Sequence, residues 1–154
     1  GCKTDFMEIR ILMEKDFETI VAFEKERLYQ AIPDPMEREL AAWNARWRKE
    51  ALDHYLPQGW SFGAFKESHL LGYFLGQPYI FHRGLTQTLW LEHIAFNEAE
   101  AGKELMEVAH KWAKDKHLQT VLMENSAATA FVLEQFPKAI VDREGLIELR
   151  SAKF

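Results

Sequence analysis

The fold is decided by residues 89–116, whose sequence is LWLEHIAFNEAEAGKELMEVAHKWAKDK. Up to Phe96, apolar side chains fall on both faces of an extended chain, which is typical of a strand in the middle of a sheet. After Asn97 the apolar period changes to that of a helix, and this pattern ends near Lys116. The stretch therefore predicts a strand, a loop and a helix, and we expect this unit to hold the functional centre.

The segments before this unit predict one strand, two helices and a β-hairpin. Prolines and glycines mark their ends, with the first helix broken at Pro33-Asp34-Pro35 and the second at Pro57-Gln58-Gly59. The second helix is amphipathic, and its apolar residues at helical spacing are Met36, Leu40, Trp43, Trp47, Ala51 and Tyr55. The predicted strands are residues 8–13, 60–66 and 70–81, with a further turn at 82–84 before the central strand.

The segments after the unit predict a strand at 119–124, a short helix at 127–136 and a hairpin at 139–150 that turns at Asp142–Gly145. The complete order is β-α-α-β-β-β-α-β-α-β-β. Such an order predicts an α/β fold with one mixed sheet. We expect a single domain over residues 7–154, with residues 1–6 as an N-terminal extension.

Composition excludes several classes of partner. The chain has 154 residues, a net charge of −5 and 47% hydrophobic residues, so its overall field opposes nucleic acids and anionic membranes. It contains no apolar run of the ~18 residues that span a bilayer. A single cysteine, Cys2, fits a reducing compartment. We therefore expect a cytoplasmic protein without nucleic-acid or membrane partners.

Two segments of this chain resemble the motifs of the GNAT superfamily of acyl-CoA-dependent N-acyltransferases. Leu91-Glu92-His93-Ile94-Ala95-Phe96 is similar to the central strand of that family. Asn125-Ser126-Ala127-Ala128-Thr129-Ala130-Phe131 is similar to the start of its second motif, Asn-x-x-Ala-x-x-Phe-Tyr. The resemblance implies a GNAT-like fold with acetyl-CoA as acyl donor and an amine, on a small molecule or a peptide, as acceptor.

The phosphate-binding turn departs from the family pattern. The family has Arg or Gln followed by x-x-Gly-x-Gly/Ala, whereas this chain has Asn97-Glu98-Ala99-Glu100-Ala101-Gly102-Lys103. The resemblance implies that Ala101, Gly102 and Lys103 approach the pyrophosphate at the start of the helix, where backbone N–H groups favour anions. Lys103 can equally be a solvated helix lysine. The carboxylates of Glu98, Glu100 and Glu104 must point away from the phosphates if coenzyme A binds.

Glu92 is the candidate general base, because the corresponding position of the family can carry one and burial raises the pKa of a carboxyl group. The alternative is a structural ion pair with Arg46 or Arg83. In a regular strand Glu92 shares a face with Ile94 and Phe96, so we expect His93 to pack on the opposite face unless a bulge intervenes.

Further cofactor contacts are predicted from the strand and from the second motif. The backbone of Ile94, Ala95 and Phe96 is expected to bind the pantetheine arm if the central strand is splayed, and to be ordinarily paired if it is not. The second motif implies cofactor contacts for Asn125 and Phe131, although Asn125 can instead cap the helix.

Two further side-chain roles stay open. The family tyrosine that protonates the departing thiolate is replaced by Val132, which leaves Tyr73, Tyr79 or water for that step. Trp43 and Trp47 either pack in the core or cover the acceptor.

These observations favour an N-acetyltransferase in which the amine attacks acetyl-CoA directly in a ternary complex. The alternative is a catalytically inactive GNAT-like module that binds acyl-CoA or a protein. A third hypothesis is a homodimer formed through the C-terminal hairpin, with residues 146–150 at the edge. No metal site is expected, because the six histidines show no ligand spacing.

Overall fold

The computed structural model describes residues 7–79 and 87–151. The predicted turn at 82–84, Arg83 as a partner of Glu92 and the extension at 1–6 lie outside these residues. The helices are α1 (Phe17–Ala31), α2 (Pro35–Trp43), α3 (Lys49–Tyr55), α4 (Ala99–Asp115) and α5 (Ala130–Gln135). The strands are β1 (Glu8–Ile11), β2 (Phe62–Lys66), β3 (His69–Tyr79), β4 (Thr88–Phe96), β5 (Thr120–Glu124), β6 (Ile140–Val141) and β7 (Leu146–Arg150).

These seven strands form one mixed sheet in the order β1-β2-β3-β4-β5-β7-β6. Only β4 and β5 run parallel, joined by α4 as a crossover helix, and the other neighbours are antiparallel. The mixed α/β sheet and the predicted succession of its strands are thereby confirmed, with the strand, loop and helix of residues 89–116 at the centre.

Apolar side chains cover both faces of the sheet. One core cluster contains Leu91 and Ile94 of β4 and the buried stripe of α4 around Leu105 and Ala109. The other contains Ile20 of α1 and residues of β3 and α3. Two helical layers therefore enclose the sheet, and β4 contributes side chains to both of them.

The predicted second helix is wrong as one continuous element. The chain leaves helical geometry between Trp43 and Lys49, so the regular spacing of apolar residues does not form one buried stripe. Trp47 packs in the core at 8% exposure, whereas Trp43 is 72% exposed. The proposed core role is right for Trp47 and wrong for Trp43.

Two boundaries near the C-terminus also differ from prediction. Helix α5 begins at Ala130 rather than near 127, because the Thr129 hydroxyl holds a turn by donating to the Glu124 carbonyl (2.7 Å) and accepting from the Ser126 N–H (2.9 Å). The edge of the sheet is β6 rather than residues 146–150, which form β7 between β5 and β6.

Candidate functional site

The parallel pairing of β4 with β5 stops early. The last paired residues are Leu91 and Met123, while β4 continues to Phe96. From Glu92 to Phe96, β4 therefore has no partner strand on its β5 side within the described residues. The splayed strand predicted from the sequence is present, and it leaves backbone hydrogen-bonding groups available at this edge.

A β-bulge lies at the point where the strands separate. On β4, Leu91 pairs with Gly76 and His93 pairs with Leu75, so Glu92 is an extra residue without its own partner on β3. The bulge places Glu92 and His93 on the same face of the sheet. The prediction that Glu92 shares a face with Ile94 and Phe96 is therefore wrong, because Ile94 packs in the core cluster on the α4 side.

Hydrogen bonds hold the Glu92 side chain against the α3 side of the sheet. Its Oε1 accepts from Trp90 Nε1 at 3.0 Å, and it is also hydrogen-bonded to the hydroxyl of Tyr55. Burial and the nearby Glu92 carboxylate raise the pKa of Tyr55 to about 12, so Tyr55 stays protonated and donates to Glu92. The alternative of an ion pair between Glu92 and Arg46 is not formed, since the Arg46 guanidinium binds the Glu92 carbonyl (2.9 Å) and the Glu124 carboxylate.

His93 interacts with a buried carboxylate that sequence analysis missed. Its Nε2 lies 2.6 Å from Glu24 Oε2, and Glu24 is only 2% exposed. Glu24 also accepts from the Tyr73 hydroxyl and from Arg27 at 2.9 Å. A sequence signal existed, because Glu24 follows Ile20 by four residues and thus lies on the inward face of α1.

Burial raises the pKa of Glu24, but the hydrogen bonds from His93, Tyr73 and Arg27 outweigh that effect and hold its pKa below the ordinary value. Glu24 is therefore ionised at neutral pH. Burial and the adjacent Glu24 carboxylate raise the pKa of Tyr73 well above its ordinary value. Tyr73 is fully buried and donates to Glu24, which makes it a poor proton donor for a departing thiolate.

Two concave regions meet at His93. The larger, about 670 Å³, lies between α1 and the end of β4, and its walls include Glu26, Arg27, Trp47, His93 and Asn97. The smaller, about 120 Å³, lies at the separation of β4 and β5 and is lined by Arg46, Leu91, Glu92, His93, Glu124, Ser126 and Thr129. His93 and its side-chain partners thus stand between a roomy cavity and the open strand edge.

Three predicted cofactor residues pack tightly on one another. The rings of Phe96 and Phe131 meet edge to face, with centroids 5.0 Å apart. A Cβ atom on Gly102 would lie 2.7 Å from the Phe96 ring, so a glycine is required here for close packing of α4 on β4. The structure therefore explains Gly102 without a phosphate.

The backbone N–H groups that are available at the start of α4 belong to residues that precede Ala101 in the sequence. The N–H groups of Ala101 and Gly102 both donate to the Glu98 carbonyl, at 3.0 and 3.3 Å. Within the described part of the chain, the N–H groups of Ala99 and Glu100 have no acceptor. Anion binding here would therefore use the N–H groups of Ala99 and Glu100, whereas those of Ala101 and Gly102 already pair with the Glu98 carbonyl.

The remaining residues singled out in the sequence differ in exposure. Lys103 and Asn125 are exposed, and Asn125 does not cap α5, since the Thr129 hydroxyl holds the turn before that helix. Val132 is fully buried in the core. Glu98 and Glu100 are exposed.

Neither a metal-binding cluster nor a membrane-spanning helix is found in residues 7–79 and 87–151. No cluster of three or more His, Cys, Asp or Glu side chains there is arranged to hold a metal ion. No helix in the same ranges has both the length and the apolar character needed to cross a bilayer.

Several solved structures share this architecture, and they show that the chain has the fold of the GNAT acetyltransferases. It is similar to the PaiA N-acetyltransferase from Thermoplasma acidophilum in complex with coenzyme A, with 18% identity, a TM-score of 0.67, and coverage of 94% of this chain and 99% of that one. It is also similar to the Drosophila melanogaster polyamine N-acetyltransferase that forms N-acetylagmatine, with 14% identity, a TM-score of 0.66 and coverage of 94% and 98%.

A GNAT family acetyltransferase from Brucella melitensis in complex with acetyl-CoA is similar at 12% identity and a TM-score of 0.63, with coverage of 97% of this chain and 91% of that one. No family model matches the sequence, and no curated protein matches it at a significant level. The likeness to these structures therefore establishes the fold alone.

Proposed function

We propose that the protein is an N-acetyltransferase that transfers the acetyl group of acetyl-CoA to an amine. The observation that carries this proposal is the open edge of β4 from Glu92 to Phe96, beside a cavity, in the fold of the GNAT acetyltransferases. An extended pantetheine arm can pair with such an edge as an added strand would. An N–H group at this edge can also polarise the thioester carbonyl.

The donor would lie along β4 with its phosphates toward the start of α4. The backbone of Ile94, Ala95 and Phe96 would bind the pantetheine arm, and the N–H groups of Ala99 and Glu100 would face the pyrophosphate. Lys103, Asn125 and Phe131 remain proposed contacts, with Lys103 and Asn125 exposed and free to turn toward a ligand. The thioester would then reach the smaller cavity next to His93.

We infer a small-molecule amine as the acceptor. Two structural neighbours are a polyamine N-acetyltransferase and an agmatine N-acetyltransferase, and the larger cavity has the volume of a small-ligand site. The amine would attack the thioester directly in a ternary complex. Glu92, predicted as the general base, already accepts hydrogen bonds from Trp90 and Tyr55.

The test is release of the coenzyme A thiol from acetyl-CoA in the presence of agmatine, spermidine and simple alkylamines, together with calorimetric titration of acetyl-CoA. Direct attack predicts intersecting lines in double-reciprocal plots, whereas parallel lines would indicate a covalent enzyme intermediate. Binding without turnover would instead support the inactive binding module. Absence of acetyl-CoA binding would refute both the enzyme and a module that binds acyl-CoA.

A pair of variants locates the donor. Ser126 lines the smaller cavity, so Ser126→Phe should fill it and weaken acetyl-CoA binding. Ala128 is exposed in the same turn and does not line that cavity, so Ala128→Phe should leave binding unchanged. Equal effects of the two substitutions would place the donor elsewhere.

The other assignments belong to the same proposal: a single domain over residues 7–154, a cytoplasmic location and a homodimer through the C-terminal hairpin. In the hairpin, the edge strand β6 exposes Ile140 (51%) and Val141 (46%), which are the residues that a second copy would cover. Sedimentation of the purified protein over a range of concentrations tests the dimer, and a monomer throughout would refute it.

A further inference from the structure

His93 is the side chain that faces both sides of the proposed reaction. It lines the larger cavity beside α1 and also the smaller cavity at the separation of β4 and β5. Its side chain is 18% exposed, whereas that of Glu24 is only 2% exposed. An amine in the larger cavity and a thioester in the smaller one would therefore both lie next to the imidazole.

The hydrogen bond to Glu24 fixes the form of the imidazole. An ionised carboxylate only accepts hydrogen bonds, so His93 Nε2 carries a proton and donates it to Glu24 Oε2 at 2.6 Å. In the neutral ring the other nitrogen, Nδ1, then has a free lone pair. No hydrogen-bond partner of Nδ1 is present among the described residues. This is the arrangement of a base that is oriented by a buried carboxylate.

The neighbouring Glu92 differs from His93 because its carboxylate already has hydrogen-bond partners. Trp90 and Tyr55 both donate hydrogen bonds to its carboxylate, and these bonds occupy lone pairs that a substrate proton would need. The bulge at Glu92 brings His93 onto the cavity face. We propose that His93 is the general base that deprotonates the acceptor ammonium and that Glu24 is its positioning residue, an assignment that rests on the proposed acetyltransferase function.

The acceptor ammonium transfers one proton to His93 Nδ1, and the lone pair that this leaves on nitrogen forms a C–N bond with the acetyl carbonyl carbon. The C–S bond then breaks, and its electron pair leaves with sulfur. The coenzyme A sulfur takes the second nitrogen proton, directly or through water, and His93 releases its own proton to solvent.

The main variant is His93→Gln, because a glutamine amide can still donate to Glu24 but cannot accept the proton. His110→Gln is the matched control, since His110 lies on α4, contacts the Arg150 carbonyl of β7 through Nε2 and lines neither cavity. Loss of a general base lowers turnover by about 10²–10⁴-fold. We expect this loss in kcat for His93→Gln, with little change in the acceptor KM or in acetyl-CoA binding, and no loss for His110→Gln.

Acceptor basicity separates a catalytic role from a structural one. β,β-Difluorophenethylamine is far less basic than phenethylamine, so a much larger fraction of it is unprotonated at neutral pH and its acetylation depends far less on a base. His93→Gln and Glu24→Gln should therefore slow phenethylamine acetylation strongly and the difluoro analogue only slightly. A purely structural role would slow both acceptors equally. Imidazole added to His93→Ala should also restore part of the turnover.

The outcomes also distinguish this inference from the function on which it rests. If the wild-type protein shows no turnover with any amine, the acetyltransferase function fails. If the wild type is active and His93→Gln is equally active, or equally slowed with both acceptors, only the assignment of His93 is overturned. If Glu92→Gln lost most of its turnover with phenethylamine but not with the difluoro analogue, Glu92 would be identified as the base instead.

Discussion

Glu24 is a charged side chain in the core that depends on three donors. Tyr73, His93 and Arg27 contribute these hydrogen bonds from β3, β4 and α1 itself. Since removing a carboxylate from water is costly, its ionised form persists only because these donors compensate for the lost hydration. Glu24 therefore links α1 to the centre of the sheet whatever its part in catalysis.

We predict that Glu24→Gln lowers the free energy of unfolding at neutral pH by about 2–4 kcal/mol, because charged hydrogen bonds become neutral ones. The folded-state pKa of Glu24 is lowered from 4.5, so its stabilisation is complete above that value and disappears as the pH falls through the lowered pKa. Urea unfolding at about pH 7 and at about pH 4 should show a smaller pH dependence for the variant than for the wild type. Identical pH dependence in the two proteins would contradict this account.

The sequence could identify some site residues and not others. The inward spacing of Glu24 on α1 is visible once the helix is known, and the exposed edge at Ile94, Ala95 and Phe96 follows from the family resemblance. The position of His93 follows from a bulge at Glu92. An extra residue in a strand depends on tertiary pairing with β3 and has no local sequence signal here.

The start of α4 combines an anion-binding geometry with acidic side chains. The N–H groups of Ala99 and Glu100 lack acceptors within the described residues, and the helix dipole adds positive potential there. The exposed carboxylates of Glu98 and Glu100 oppose that potential. If acetyl-CoA binds along β4, these carboxylates should weaken its affinity through space.

We predict that Glu100→Gln tightens acetyl-CoA binding by about threefold at low ionic strength, because it removes one negative charge close to the pyrophosphate. The matched control is Glu107→Gln, an exposed position about two turns further along α4, which should leave affinity unchanged. Calorimetric titration at low and at high salt measures the acetyl-CoA affinity of both variants. The difference in affinity between Glu100→Gln and the wild type should shrink in high salt. Unchanged affinity in Glu100→Gln would show that the phosphates do not lie at this helix end.

The break between α2 and α3 shows the limit of periodicity as a predictor of elements. Apolar spacing from Met36 to Tyr55 fits one helix, yet the chain turns at residues 44–48. This turn carries Arg46 to the ends of β4 and β5, where it binds the Glu92 carbonyl and the Glu124 carboxylate. Tertiary contacts override local periodicity here.

The topology of the whole sheet creates the candidate site. Because β5 returns parallel to β4 through α4, the two strands can diverge after Leu91 and Met123, and the start of α4 lies next to the open end. Helix α1 covers the opposite face and supplies Glu24. The order of elements was predictable from turn signals and hydrophobic periods, and this order places the strand edge, the helix start and the cavity together.

Hydrogen–deuterium exchange with and without acetyl-CoA tests most directly whether the donor binds along the open edge of β4. Amide exchange in residues 92–96 and at 99–100 should be slower when acetyl-CoA is present, because the open edge of β4 and the N–H groups of Ala99 and Glu100 gain partners. The hairpin of β6 and β7 should exchange at the same rate in both samples. Unchanged exchange at residues 92–96 in saturating acetyl-CoA, or protection confined to other segments, would contradict the proposed donor site.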